Sequence, residues 1–121
     1  MDALSKIFDD IHLNKSEYLY LKAQGDWCFQ YQDQSAMVAY AMVTGHAIIQ
    51  LDASTQVQAR AGDLILIPSG QSHTAFNTPN PLVDTLNITY RFDETGEKSI
   101  EFGSGEEKQT VILAIRCHMD S

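Results

Sequence analysis

Hydrophobic and polar positions change their period once along this chain. Near the start, four apolar residues have the i, i+3, i+4, i+7 spacing of one helix face: Leu4, Ile7, Phe8 and Ile11. Asp2 stands where an N-cap residue is expected. This pattern predicts a short amphipathic helix within residues 1–13. Its apolar face is expected to cover either the edge of the domain or a partner.

From Ser16 onward the period falls to two, as in half-buried strands. Trp27, Phe29 and Tyr31 share one face of such a strand. Further strands are predicted at 17–24, 36–44, 46–51, 56–60, 63–67, 73–78, 84–92, 99–103 and 110–118. Glycine, proline, asparagine and aspartate separate them. Many short strands at regular spacing predict an all-β sandwich, barrel or jelly roll over residues 16–118, in one domain spanning residues 1–121.

Composition narrows the classes of function. The 121 residues are 44% hydrophobic and 20% charged, as in soluble globular proteins. A net charge of −8 argues against direct contact with nucleic acid. We find neither a signal peptide nor an apolar run of membrane-spanning length, so a cytoplasmic location without membrane contact is expected. Cys28 and Cys117 are interpreted as free thiols rather than a disulfide or redox pair.

The segment from Gly62 to Asn77 carries the strongest motif. Gly62 suits a turn with positive φ, and an apolar strand follows until Pro68 ends it. A short polar turn precedes His73, which begins the next strand. The order of glycine, Pro-x-Gly, histidine and asparagine resembles the second motif of the cupin superfamily, with every fixed position filled. The resemblance implies a cupin double-stranded β-helix, that is, a jelly-roll barrel.

The glycine positions of the first cupin motif are filled in this sequence, but its metal-ligand positions are not. Gly25 and Gly45 occupy its glycine positions, whereas Tyr31 and Asp33 occupy the two histidine positions. Val38 occupies the glutamate position. A catalytic metal needs about three protein ligands, and His73 with Asp33 would supply two. No cofactor is therefore expected, although a divalent metal at His73 remains an alternative.

Other segments resemble one subgroup of cupins. These are residues 2–8, residues 40–45 and residues 61–68, which are similar to the N-terminal effector-binding cupin domain of AraC-type transcription regulators. The resemblance implies binding of a small effector, dimerisation, or both. Nothing in the sequence matches the DNA-reading part of such regulators. We expect a small-molecule ligand and a homodimer.

Strand parity places a few polar groups inside an otherwise apolar barrel, as is usual for small-molecule sites. The predicted ligand-binding residues are His73, Tyr40, Tyr31, Asp33 and Trp27. In this hypothesis His73 is a switchable hydrogen-bonding group, the aromatic rings form the walls, and Asp33 favours a hydroxylated or cationic ligand.

Three alternatives remain open. His73 and the aromatic residues could serve only folding and packing. The chain could be a metal-dependent isomerase, dioxygenase or lyase, as in many small cupins. It could also be an interaction module that pairs through its helix or an edge strand.

Overall fold

The computed structural model of the chain describes residues 16–33, 35–68, 71–105 and 109–118. The helix predicted within residues 1–13 lies outside this part. The described residues form strands and turns with no helix. The strands are β1 (Ser16–Gln24), β2 (Cys28–Tyr31), β3 (Ala36–Thr44), β4 (His46–Asp52), β5 (Thr55–Arg60), β6 (Leu64–Ile67), β7 (His73–Phe76), β8 (Leu86–Asn87), β9 (Ser99–Gly103) and β10 (Gln109–His118).

These strands form two five-stranded sheets. The first sheet has the order β6-β3-β10-β1-β9, and the second has the order β5-β4-β7-β2-β8. Their facing sides contribute alternate residues to one main core, whose largest fully buried members include Trp27, Phe29, Tyr31 and Tyr40. The predicted all-β class is confirmed, because strand residues alternate between this core and the outside.

The strand predicted over 84–92 is wrong in its extent. Only Leu86–Asn87 pairs, in parallel with β2. The Asn87 side chain then accepts a hydrogen bond from the Thr89 N–H at 3.0 Å. The Arg91 N–H donates to the Ile88 carbonyl at 3.0 Å, which closes a turn. Local bonding by an asparagine side chain competes here with the sheet ladder.

The two motif segments, residues 25–45 and 62–77, are joined by hydrogen bonds near both of their ends. Asn77 Oδ1 accepts the Trp27 N–H, and Asn77 Nδ2 donates to the Gly25 carbonyl, both at 3.0 Å. At the other end the Ala61 N–H donates to the Gly45 carbonyl at 3.1 Å. These bonds connect residues that are far apart in the chain. The two Asn77 bonds fix where β2 and β7 meet.

We predict that Gly45→Ala is more destabilising than Gly62→Ala. Both glycines have positive φ, +81° and +96°, so either substitution strains the backbone by roughly 1–2 kcal/mol. A Cβ at Gly45 would also lie 2.6 Å from Thr110 Oγ1, whereas a Cβ at Gly62 would meet nothing within 4 Å. Urea unfolding of the two variants checks this order, and equal losses would contradict it.

Candidate functional site

Three of the predicted site residues meet inside the sandwich. β2 pairs with β7 in a register that sets Tyr31 opposite His73, and their rings stack with centroids 5.5 Å apart. Tyr40 reaches them from β3 of the other sheet, and its ring meets the His73 ring edge-on at 5.4 Å. All three side chains are buried. The strand registers therefore bring together groups from residues 31, 40 and 73.

Two hydrogen bonds determine which ring nitrogen of His73 carries the proton. Nδ1 lies 2.5 Å from the Gln71 carbonyl oxygen, and Nε2 lies 2.5 Å from the Tyr40 hydroxyl. Because a carbonyl can only accept, Nδ1 carries the proton and Nε2 accepts from Tyr40. Burial lowers the pKa of His73 and opposes the smaller raising effect of the Gln71 carbonyl. The ring is therefore neutral at physiological pH, and Tyr40, whose pKa burial raises well above its usual value, remains a donor.

The His73 ring is one link in a column of aromatic contacts through the core. Phe29 lies 5.5 Å from Tyr40 and stacks on Trp27 at 5.7 Å, between ring centroids. Trp27 then meets Phe102 edge-on at 6.1 Å. The ring contacts of Trp27 are thus with Phe29 and Phe102, away from His73. The structure places Trp27 at the far end of the column.

A cluster of charges lies beyond Tyr31, and the sequence analysis missed it. Arg116 is 8% exposed, and its Nε donates to Glu17 Oε1 at 3.1 Å. Its Nη1 donates to the Thr89 carbonyl at 2.6 Å. The guanidinium carbon lies 4.6 Å from the centroid of the Phe92 ring. His118 Nε2 is within 2.5 Å of the same Glu17 oxygen.

The contacts within this cluster maintain its charges. Burial opposes the charged form of Arg116, but Glu17 and Tyr31 outweigh it, so the Arg116 pKa is raised. Burial also opposes ionisation of Glu17, yet Arg116 and His118 keep the Glu17 pKa lowered. The pair is partly buried, and removal of one partner would leave the other charge uncompensated.

Asp33 belongs to the edge of this cluster rather than to the His73 contacts. Its Oδ1 accepts hydrogen bonds from the Ser35 hydroxyl and N–H, which lower the Asp33 pKa. Its Oδ2 lies 3.7 Å from Arg116 Nη1. Arg116 therefore connects the predicted residue Asp33 to Tyr31, since its guanidinium lies near the Tyr31 hydroxyl.

The Tyr31 hydroxyl is a buried polar group without a satisfied hydrogen bond. Its oxygen is inaccessible to solvent, and no partner in the described part meets it with full hydrogen-bond geometry, although the Arg116 guanidinium lies close by. Burial raises the pKa of Tyr31 despite this positive neighbour. Such a group costs free energy, and it offers both a donor and an acceptor to anything that could reach it.

A cleft of about 250 Å³ lies at β2, β4 and β7, the central strands of the second sheet. Tyr31 and His73 form part of its lining, together with polar residues in and next to these strands: Gln30, Gln32, Gln50, Asp52, Ser72 and Thr74. A larger open groove of about 860 Å³ lies at residues 81–86 and 102–103, where Asp84 is the only titratable lining residue. We place the candidate site at the smaller cleft, because the perturbed groups converge there.

The residues at the metal-ligand positions of the cupin motifs do not form a cation site with His73 in the described part. Its Nε2 lone pair is used by the Tyr40 hydroxyl, and its Nδ1 carries a proton. Asp33 pairs with Arg116 instead, and Val38 has no donor atom. Within residues 16–33, 35–68, 71–105 and 109–118, no three His, Cys, Asp or Glu side chains are arranged to hold a metal ion.

Arg116 could have been suspected from its place in the sequence pattern. The run from Val111 to Cys117 is apolar except for Arg116. With Ala114, which is fully buried, Arg116 shares the inward parity of β10. A buried arginine requires an acidic partner, but strand pairing, not local sequence, shows that Glu17 is that partner.

Comparisons with known proteins support this fold. A family model described as Cupin matches residues 2–121. The chain is 47% identical over 121 residues to the HTH-type transcriptional regulator AlkR of Acinetobacter baylyi, a match that covers 99% of this chain and 40% of that protein. The chain thus spans less than half of the regulator's length. No helix in the described part is long and apolar enough to cross a membrane.

A solved structure is also similar. It is a cupin-2 domain containing protein from Shewanella frigidimarina, with a TM-score of 0.50 and 11% sequence identity. The similarity covers 98% of this chain and 95% of that one. At this identity it shows the fold alone. The predicted cupin fold and the resemblance to AraC-type regulators are both confirmed.

We predict that Tyr40→Phe lowers the free energy of unfolding by about 1–3 kcal/mol. The substitution keeps the ring contacts but removes the donor to His73 Nε2, which leaves a buried acceptor unpaired. Tyr90→Phe is the matched control, since Tyr90 is 85% exposed. Urea unfolding would measure both. Equal small effects would show that the buried bond contributes nothing.

We also predict that the free energy of unfolding decreases as the pH is lowered, because His73 takes up a proton more readily in the unfolded chain. In the unfolded chain a histidine titrates near pH 6.5, whereas burial lowers the pKa of folded His73. Below pH 6.5 the unfolded state therefore binds more protons, so the free energy of unfolding decreases as pH falls towards the folded pKa. His73→Gln should flatten this dependence, whereas Leu82→Ala, at an exposed position without a titratable side chain, should not. Identical slopes in the wild type and His73→Gln would refute the assignment.

Proposed function

Because this chain belongs to the cupin family, we propose that it is a sensory domain that binds a small molecule at the cleft beside Tyr31 and His73. Similarity to a transcriptional regulator over nearly the whole chain supports a sensory role. In this proposal His73 and Tyr31 line the cleft, Tyr40 holds His73 from inside the core, and Asp33 follows Tyr31 along the chain, outside the lining. Trp27 supports the column from its far end.

The observation that carries the proposal is that Tyr31, whose hydroxyl is buried and unsatisfied, belongs to the lining of the cleft. A ligand that supplies one hydrogen-bonding group would remove the cost of this unpaired oxygen. A volume of about 250 Å³ suits a compound of few heavy atoms. Unpaired polar groups of this kind make a site discriminate strongly between ligands that hydrogen-bond and those that cannot.

The charges around the cleft favour a neutral hydroxylated or cationic ligand. Glu17 and Asp33 already form ion pairs with Arg116, so the positive charge of Arg116 is largely compensated. Asp52 adds an acidic group to the lining, and an Asx-type turn with Ser54 lowers the Asp52 pKa. A ligand anion would meet these carboxylates. A hydroxyl or ammonium group would be attracted to them.

Tyr40 connects the proposed ligand site to the first sheet. Its hydroxyl joins β3 of the first sheet to His73 on β7 of the second sheet. A ligand that bonds Tyr31 and competes for His73 changes this contact between the sheets. A cytoplasmic location and a homodimer, both expected from the sequence, belong to the same proposal.

We predict that Tyr31→Phe separates stability from ligand binding. Removal of an unsatisfied buried hydroxyl should leave the free protein equally stable or more stable by about 1 kcal/mol. The same substitution should weaken binding of hydroxylated or cationic ligands, because their partner group is lost. Calorimetric titration and thermal shifts with a panel of small polyols and amino alcohols measure both effects.

Tyr90→Phe is the control for this experiment, and His73→Gln is the second test variant. A compound that stabilises the wild type and Tyr90→Phe, but not Tyr31→Phe or His73→Gln, supports the site. If no compound of the panel binds, or if binding survives both test substitutions, the proposed function is overturned.

A further inference from the structure

A third cleft lies where β4 begins and β5 ends, at one end of the second sheet. It has a volume of about 630 Å³ and is lined by residues 45–48 and 58–61. Gly45 and three alanines supply little side chain, which leaves room, and Ile48 is the largest apolar side chain of the lining. This volume is within the range of small-molecule sites, so the cleft suits a whole compound rather than a single ion.

The lining of this cleft contains basic groups and no carboxylate. Its two titratable residues are His46 and Arg60. In contrast, the chain has 16 acidic and 8 basic residues, and the two clefts described above contain Asp52 and Asp84. Such a lining in an acidic domain is complementary to an anion.

Strand pairing brings the two basic side chains together. His46 lies directly opposite Arg60 in the antiparallel ladder of β4 and β5. Residues in this relation share one face of the sheet, with Cβ atoms about 5 Å apart. Both side chains are exposed, so a ligand could reach them without any movement of the core.

The guanidinium of Arg60 is available to a ligand. Within the part of the chain that the structure describes, it forms no ion pair or hydrogen bond, whereas Arg116 is paired. The neighbouring Asp63 uses Oδ2 to accept the Arg60 backbone N–H at 2.8 Å. A guanidinium offers a planar fork of donors that matches a carboxylate. Its single charge balances a carboxylate better than a phosphate monoester, whose charge is about −2 at neutral pH.

His46 adds an acceptor beside this donor fork. Its Nε2 lies 3.2 Å from the Asn77 carbonyl oxygen, and because a carbonyl can only accept, Nε2 carries a proton. In the neutral ring Nδ1 is then an acceptor. A hydroxyl group near the carboxylate of a ligand could donate to this nitrogen.

We propose that this cleft binds a small hydroxycarboxylate with an apolar body. Arg60 holds the carboxylate, Nδ1 of His46 accepts the hydroxyl, and Ile48 contacts the apolar part. The site is separate from the cleft beside Tyr31 and does not depend on the proposed function. The two sites select opposite charges, because the lining of the other cleft contains Asp52.

Calorimetric titration of the full chain with α-hydroxyhexanoate, hexanoate and hexanol tests the site. We expect saturable binding that weakens in this order, because each step removes one polar contact. Arg60→Gln should raise the Kd of both acids about tenfold or more, since hydrogen bonds to a charged group are lost. His46→Ala should abolish the preference for the hydroxy acid over hexanoate.

Arg91→Gln is the matched control, because it removes one positive charge at an exposed arginine outside the lining. It should change the Kd by less than about twofold, since distant exposed charges are screened by salt. Nuclear magnetic resonance locates the bound acid: amide signals of residues 45–48 and 58–61 should shift, and those of residues 30–32 should not.

Three results would overturn this proposal. They are no binding of either acid to the wild type, equal effects of Arg60→Gln and Arg91→Gln, and shifts confined to residues 30–32. Failure of polyols and amino alcohols to bind would overturn only the proposed function, because those compounds test the other cleft.

Discussion

The hydrogen bond between Tyr40 and His73 is the constraint on which the interior depends. It joins the two sheets through the core, where a donor or acceptor left unpaired would be costly. Because Gln71 holds the other ring nitrogen, the His73 ring has one orientation and one tautomer. Tyr31 stacks on that ring and Phe29 packs on Tyr40, so the aromatic column follows from this contact. The polar pair thereby specifies how the apolar side chains pack.

Bonds between the two motifs explain why His73 is in this position. Asn77 ties the turn at Gly25 to the end of β7, and this contact sets the register of β2 against β7. A shift by one residue would turn Tyr31 and His73 to the outside. Asn77 thus has a structural role. The motif identifies the fold because its residues are needed to close the sandwich, whether or not a metal is held.

Sequence predicted most of this fold because alternation and turn residues are local signals. The parity argument correctly placed Tyr40 and His73 inside. It was wrong over 84–92, where a single asparagine side chain favours a turn after Asn87. Arg116 and Glu17 were missed because their pairing joins residues at opposite ends of the chain. Similarly, the opposite ends of the aromatic column share a strand face, so parity alone could not separate Trp27 from Tyr31.

Strand β10 has one face towards the candidate site and the other on the outside of the first sheet. Successive strand residues point to opposite faces, so Arg116 faces Tyr31 while Ile115 and Cys117 belong to the apolar cluster of the outer face. Arg116 is held by Glu17 and by the Thr89 carbonyl, and packed interiors resist small independent movements. Because Arg116 is fixed on one face of β10 while Ile115 and Cys117 are buried on the other, the position of this strand is set from both sides of the first sheet.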